Sequence, residues 1–287
     1  MAVGPYALTT LQAVKDWIGE TSSTYDTTLE RLIDATTARI ERYIGRQIVA
    51  RDRVEFHDGN VDELRLKAYP IISCKYIGYG RETAMVVTSS DTTDLAATVH
   101  VTPANTMVLV RTSSNGTETT ITEAFATHKS AGTLATQVES ETGWAATALS
   151  DCPSKYFHRM GPVDARQSQA IITAPSQRST TYRMDCDAGL IRFPIGWNAD
   201  DWNECEEEWQ CSGDAQTVVV DYNAGYATVP DDIADACIQI VAQVYRSRFK
   251  DANINRESLG DYSYTSAVRD AGEDMLDGLL GTWKEIR

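Results

Sequence analysis

Apolar runs are short everywhere in this sequence. None approaches the roughly 20 residues that a membrane-crossing helix needs, and the opening MAVGPYALTT has neither the basic start nor the apolar middle of a secretory signal. Positive charge is scarce: Lys and Arg number 26 against 41 Asp and Glu, a formal net charge of −15. Affinity for a nucleic-acid backbone comes mainly from Lys and Arg neutralising phosphates, so this composition excludes a surface built to grip DNA. It suits a conduit better, because an acidic wall repels a duplex.

Reactive residues are equally sparse. The histidines His57, His100, His128 and His158 are scattered, and none falls in a ligand or nucleophile motif. There is no G-x-S-x-G elbow and no phosphate-cradling glycine loop. The cysteines Cys74, Cys152, Cys186, Cys205, Cys211 and Cys237 include no C-x-x-C pair, which removes a zinc signature. They read as reduced thiols filling apolar space, although Cys205 and Cys211 could face each other across a loop. The expectation is a cytosolic chain that is not an enzyme and has no cofactor or metal.

What the 287 residues do contain is enough apolar material, 42%, for a sizeable core. Two helices open the chain. Thr9 and Gln12 stand in a capping-box relation ahead of Leu11, Val14 and Ile18, with Gly19 as the stop. From Thr28 to about Tyr43, Leu29, Leu32, Ile33, Ile40 and Tyr43 keep to one face, and Gly45 ends the run. Periodicity then changes to alternation. Val54, Phe56, Leu64 and Leu66 point to one side, with His57–Asn60 as a turn, and a further strand is expected near Lys75–Tyr79.

Between about 84 and 185 the composition shifts to Thr, Ser, Ala and Gly, and strand and turn signals recur at short intervals. Strands are expected at Val99–Val101, Met107–Arg111 and Thr119–Ile121. Asn115-Gly116 between the last two predicts a two-residue type I′ hairpin, which needs positive φ at both positions. Thr133–Thr142 reads as a short helix packing Leu134 and Val138 on the sheet. Strands return at Gly189–Phe193 and Thr217–Tyr222. Pro230 then precedes the clearest helix, striped by Ile233, Ala236, Cys237, Ile240, Val241, Val244 and Tyr245. A final helix is expected from about Ala267 to Ile286. Asp251–Thr265 lacks a period and reads as a loop or an extended arm. Trp17, Tyr43, Tyr245 and Trp283 fall on or beside apolar faces, so core packing is their default reading, with inter-subunit anchoring as the alternative.

The densest charge is Asp200, Asp201, Glu204, Glu206, Glu207 and Glu208, inside the loop Asn198–Gly213. Three readings stay open: a solvated loop anchored by Trp202 and Trp209, a channel lining, and a cation site. Arg246, Arg248 and Lys250 sit at the end of the strongest helix, where they complement its negative terminus or contact a partner.

Taken in order, ALTTLQAVKDWIG, TTLERLIDATTARIERYIGR, VVVDYNAGYATVPDDIADACIQIVAQVYRSRF, ESLGDYSY and MLDGLLGTWKEIR resemble the head-to-tail connector, or head-completion adaptor, family of tailed phages. The resemblance covers roughly the first 80 and last 100 residues. Its most specific piece is Tyr-x-Ala-Gly-Tyr running into Val-Pro-Asp-Asp. It implies an α+β chain: a four-helix adaptor bundle made by the N- and C-terminal segments, with a β-rich inserted domain. The expected segments are 1–50 (N-terminal helices), 51–83 (connecting strands), 84–185 (insertion), 186–228 (returning strands with the acidic loop) and 229–287 (C-terminal helices and arm).

The resemblance further implies a virion protein of the neck, assembled in the host cytoplasm. A dodecameric homo-oligomeric ring would bind the portal and receive a stopper, tail-terminator or tail protein. Genomic DNA would pass through its channel without sequence-specific binding, and no membrane is involved. Portal or inter-subunit contact candidates are then Arg246, Arg248, Lys250, Glu257, Asp261, Tyr262, Tyr264 and Trp283, and the six acidic residues are channel-lining candidates. The alternative is a protein- or carbohydrate-binding virion module centred on the β-rich insertion.

Overall fold

The computed structural model describes residues 2–59, 63–193, 216–248, 256–259, 262–265 and 271–284. In chain order the elements are α1 (Leu11–Ile18), α2 (Asp26–Ile44), β1 (Arg51–His57), β2 (Glu63–Arg65), β3 (Ile71–Tyr79), β4 (Glu82–Ser89), β5 (Ala96–Thr102), β6 (Thr106–Thr112) and β7 (Glu118–Ala124). Then follow α3 (Ala131–Ser140), β8 (Trp144–Ala148), β9 (Met160–Asp164), β10 (Ala170–Ala174), β11 (Gln177–Arg178), β12 (Arg183–Asp185), β13 (Leu190–Arg192) and β14 (Val218–Ala224). The chain continues with α4 (Asp231–Ser247), the hairpin β15 (Arg256–Leu259) and β16 (Tyr262–Thr265), α5 (Ala271–Leu280) and a short 3-10 turn at Gly281–Trp283. The contacts divide it into two compact units: Met1–Arg51 with Lys67–Ile72 and Asn223–Arg287, and Asp52–Leu66 with Ser73–Tyr222.

The expected four-helix adaptor bundle is not the fold. Sixteen strands in antiparallel sheets dominate the described residues, against five α-helices, one of which belongs to the sheet-rich unit. The helical stripes were legible because each repeats locally. The strands outweigh them because, beside local hairpins such as β5–β6–β7, segments far apart in sequence such as β4 with β10 and β2 with β13 also pair, which no local period announces.

In the first unit each helix is bounded by local chemistry. Thr10, not Thr9, caps α1 by accepting the Ala13 N–H at 3.2 Å, and Gly19 ends it at φ 76°. Gly45, at φ 89°, ends α2, and Pro230 with Asp231 and Asp232 opens α4. Leu29, Ile33, Ile40, Ile233, Cys237, Val241, Leu276 and Leu280 share one core with Leu8, Val14 and Ile48. Each such side chain stabilises the fold by about 1.5–3 kcal/mol on burial. Lys15, itself buried, is neutralised by Asp26 at 2.7 Å. Trp17 departs from expectation: it is 53% exposed on α1.

In the second unit the sheet order β1-β14-β3-β11 places β14 centrally, and Val218–Tyr222 are all buried. Two further sheets, β10-β4-β8 and β7-β6-β5-β9, share a core with α3, including Met85, Val99, Leu109, Leu134, Val138 and Phe157. The α3 helix is held by a capping box between Ser130 and Thr133. The Asn115-Gly116 turn differs from the type I′ expectation. The hairpin closes through Ser113 N–H to Thr117 C=O at 3.0 Å, Asn115 Oδ1 accepts the Thr117 N–H at 2.9 Å, and of the two residues only Gly116 has positive φ, 82°. That is a longer loop with a single left-handed residue. The segment read as a loop or arm, Asp251–Thr265, contains the paired strands β15 and β16, in register Glu257↔Tyr264 and Leu259↔Tyr262.

Candidate functional site

The corner at Gly225 gathers side chains from widely separated stretches of the first unit. The backbone sets it. Gly225, at φ 118°, donates its N–H to Pro70 C=O at 2.8 Å, Tyr226 N–H reaches Ile48 C=O at 2.7 Å, and Ala50 N–H reaches Tyr226 C=O at 3.1 Å. A Cβ on Gly225 would lie 2.7 Å from the Ile48 carbonyl oxygen and 2.8 Å from the Ala50 nitrogen, so only glycine fits this approach.

Aromatic and cationic groups pack beside this crossing. Tyr226 meets Trp283 edge to face at 5.8 Å between centroids, and Trp283 Nε1 donates to Asp232 Oδ2 at 2.7 Å. The Arg46 guanidinium lies 4.2 Å over the Tyr69 ring and 5.8 Å from that of Trp283, and its Nη1 donates to Tyr69 C=O at 3.1 Å. Stacking of a guanidinium on such rings contributes about 0.5–1 kcal/mol at exposed sites. On the same unit Tyr43 donates to Asp277, which pushes the phenol up to about 12, first through that hydrogen bond and then through burial. Lys284 Nζ lies 4.8 Å over the Tyr43 ring.

Of the contact candidates, Trp283 joins this corner. Arg248 lies elsewhere on the unit, its guanidinium 4.0 Å over Tyr245 and 4.2 Å over Tyr25, whose rings meet edge to face at 5.9 Å. Arg246 is exposed in the last turn of α4. Glu257, Tyr262 and Tyr264 lie on the hairpin strands. Lys250 and Asp261 lie outside the described residues, as do Asp200, Asp201, Glu204, Glu206, Glu207 and Glu208 and the pair Cys205 and Cys211. Arg46 and Tyr69 are corner residues that sequence reading missed. The available signal was the block Tyr-x-Ala-Gly-Tyr running into Val-Pro-Asp-Asp, which contains Gly225, Tyr226 and Asp232.

The second unit buries polar groups, and their chemistry fixes protons in place. Asp221, 1% exposed, accepts from Lys155 Nζ at 2.5 Å and Tyr156 Oη at 2.8 Å. Burial, together with the Asp221 hydrogen bond, raises the Tyr156 phenol, whose ring stacks on Tyr76 at 4.5 Å. Burial also raises the Cys74 thiol. His158 is pushed down to about 3 by burial and then by Arg81 and Arg159, and Nδ1 lies 3.0 Å from Thr173 Oγ1. Such groups hold their protons, or stay without one, across neutral pH, which is the opposite of a poised acid or base. A groove of about 370 Å³ is lined by His100, Thr102, Arg159, Met160 and Gln216, but the guanidinium beside it is engaged by Asn105 and lies 4.4 Å over Phe56.

Among the described residues no group of three or more His, Cys, Asp or Glu is placed to hold a metal ion, and no helix is long and apolar enough to cross a membrane. No protein-family model matches the chain, and no curated protein matches it either. Among solved structures, a chain from one described as the neck of an empty GTA particle computed with C6 symmetry aligns over 100% of this chain and 95% of its own length. The TM-score is 0.41 at 13% identity, a likeness too shallow to assign fold or role.

Proposed function

We propose that this chain is a structural protein of a phage neck: a ring-forming adaptor that binds the portal, extends the DNA channel and offers the attachment surface for the tail. The observation that carries the reading is the Gly225 corner. The family-like block YNAGYATVPDD supplies Gly225, Tyr226 and Asp232 there, the block ending in IGR supplies Arg46, and MLDGLLGTWKEIR supplies Trp283. Blocks that resemble one family only when taken in order thus meet through specific side chains. The formal charge of −15 favours a channel that DNA slides past over one that holds it.

In this reading residues 1–50 and 229–287 form the part that meets the portal and neighbouring subunits. Residues 51–83 and 186–228 connect it to the insertion at 84–185. Arg246 and Trp283 are contact residues. Reconstruction of the neck, or native mass spectrometry of it, tests the reading: a dodecameric ring of this chain on the portal is expected. Absence from the neck, or a single copy, would overturn it.

A further inference from the structure

Two elements of this chain are incomplete as sheets. The first is the outer edge of β7. In the order β7-β6-β5-β9, β7 is an end strand, and no described strand pairs with its other side. The ladder is anchored by Ser113 N–H to Thr117 C=O at one end and Phe125 N–H to Asn105 C=O at the other, both 3.0 Å. Alternation in an antiparallel pair then turns the N–H and C=O of Thr119, Ile121 and Glu123 towards β6 and those of Glu118, Thr120 and Thr122 outward. Natural edges are usually blunted by proline, lysine or a bulge. The opposite end strand follows that rule, with Pro162 in β9 and an irregularity in its pairing with β5. The β7 strand, ETTITEA, has neither proline nor lysine, and its pairing with β6 runs without a shift.

The second element is the hairpin β15–β16, which among the described residues forms a two-stranded sheet by itself. A lone hairpin is marginal in water and gains stability from a third strand. Tyr262–Thr265 reads YSYT, uncharged and rich in residues that favour extended backbone, whereas β7 carries two carboxylates and a Thr-rich middle. An uncharged strand beside β7 avoids like charges facing each other, and Tyr against Thr is a favourable cross-strand neighbour.

We infer that β16 of one copy of this chain adds to the β7 edge of a second copy, completing both sheets through main-chain hydrogen bonds. The contact uses different surfaces on its two sides, so repetition gives a closed ring or a chain of subunits and not a two-fold dimer. It shares with the ring reading only the premise that copies of this chain meet.

The test uses full-length protein. Thr120→Cys and Ser263→Cys are made separately, mixed at the highest soluble concentration and mildly oxidised, with wild type and each variant alone as controls for the native thiols. Disulfide-linked dimer at least ten-fold above either variant alone is the expected result. Equal linkage in Thr120→Cys alone, or no linkage above wild type, overturns the inference. Thr122→Pro, added to the Thr120→Cys protein, removes a neighbouring outward N–H and leaves the β6 ladder intact, so it should abolish linkage to Ser263→Cys protein with unchanged thermal melting; persistent linkage overturns the inference. A ring seen in the neck without this linkage removes only the strand addition. Linkage in solution by a chain absent from the neck removes only the ring reading.

Discussion

Substituting Gly225→Ala places one methyl group where backbone already stands. The new Cβ would lie 2.7 Å from Ile48 O, 2.8 Å from Ala50 N and 2.8 Å from Val49 C, and none of these is the yielding end of a side chain. At φ 118° the residue also occupies a region that L side chains rarely enter, a strain of about 1–3 kcal/mol. Relief requires the two segments to separate, which weakens at least one of the bonds to Pro70 and Ile48, each worth about 1 kcal/mol net. The sum is about 3 kcal/mol. For a domain of this size that is a fall in melting temperature of about 6–12 °C, read by circular dichroism or calorimetry. Gly161→Ala is the control: its Cβ meets nothing within 4 Å, so a change within about 0.5 kcal/mol is expected. A Gly225→Ala protein that melts with the control would refute the argument that this crossing requires glycine.

Acid should destabilise the second unit through His158. Its folded-state value of about 3 lies below the unfolded 6.5, so as pH falls through 6.5 only the unfolded chain gains the proton; stability then drops by about 1.4 kcal/mol per pH unit until the folded value is reached. Imidazole resonances showing His158 titrating above pH 5 in the folded protein would contradict this. Asp221→Ala strips the shared acceptor from Lys155 and Tyr156 and should cost about 2 kcal/mol, because the buried Tyr156 hydroxyl is left unpaired while the half-exposed Lys155 ammonium turns to water; chemical denaturation measures it, and a loss below about 1 kcal/mol would show the network to be dispensable. Trp283→Phe keeps a ring against Tyr226 but loses the Asp232 bond, so a loss of about 1 kcal/mol is expected, whereas no change in unfolding midpoint would mean that bond is idle.

How much of this was legible in sequence depends on the range over which each signal acts. Gly19, Gly45 and Pro230 bound helices because a cap is a matter of adjacent residues, and α2 and α4 were placed to within a few residues by their stripes. In the insertion region the one expected helix, Thr133–Thr142, is α3 at Ala131–Ser140. Sheet partners were legible across the Asn115-Gly116 turn, which joins β6 to β7 as expected, but not between distant segments. Strand β2 pairs with β13 and β10 with β4, and nothing in either sequence addresses the other. The corner residues Arg46 and Tyr69 were missed for the same reason, since a cation over a ring is created by two chain segments and announced by neither.

Strand β1 shows the limit within a single element. Alternation predicted Val54 and Phe56 inward, yet both are half-buried while Glu55 between them is 7% exposed. A buried carboxylate is expensive unless it is hydrogen-bonded. Here Tyr222 Oη donates to Glu55 Oε1 at 2.6 Å and His57 Nε2 lies 3.2 Å from Oε2. The tyrosine stands 167 positions away, on the central strand of the same sheet. Because side chains alternate with a period of two, one distant partner is enough to turn the face that apolar counting would leave outside into the buried one. Inward and outward on a strand are therefore settled by what faces it across the sheet, and a sequence read along the chain supplies that only after the fold has brought the partner in.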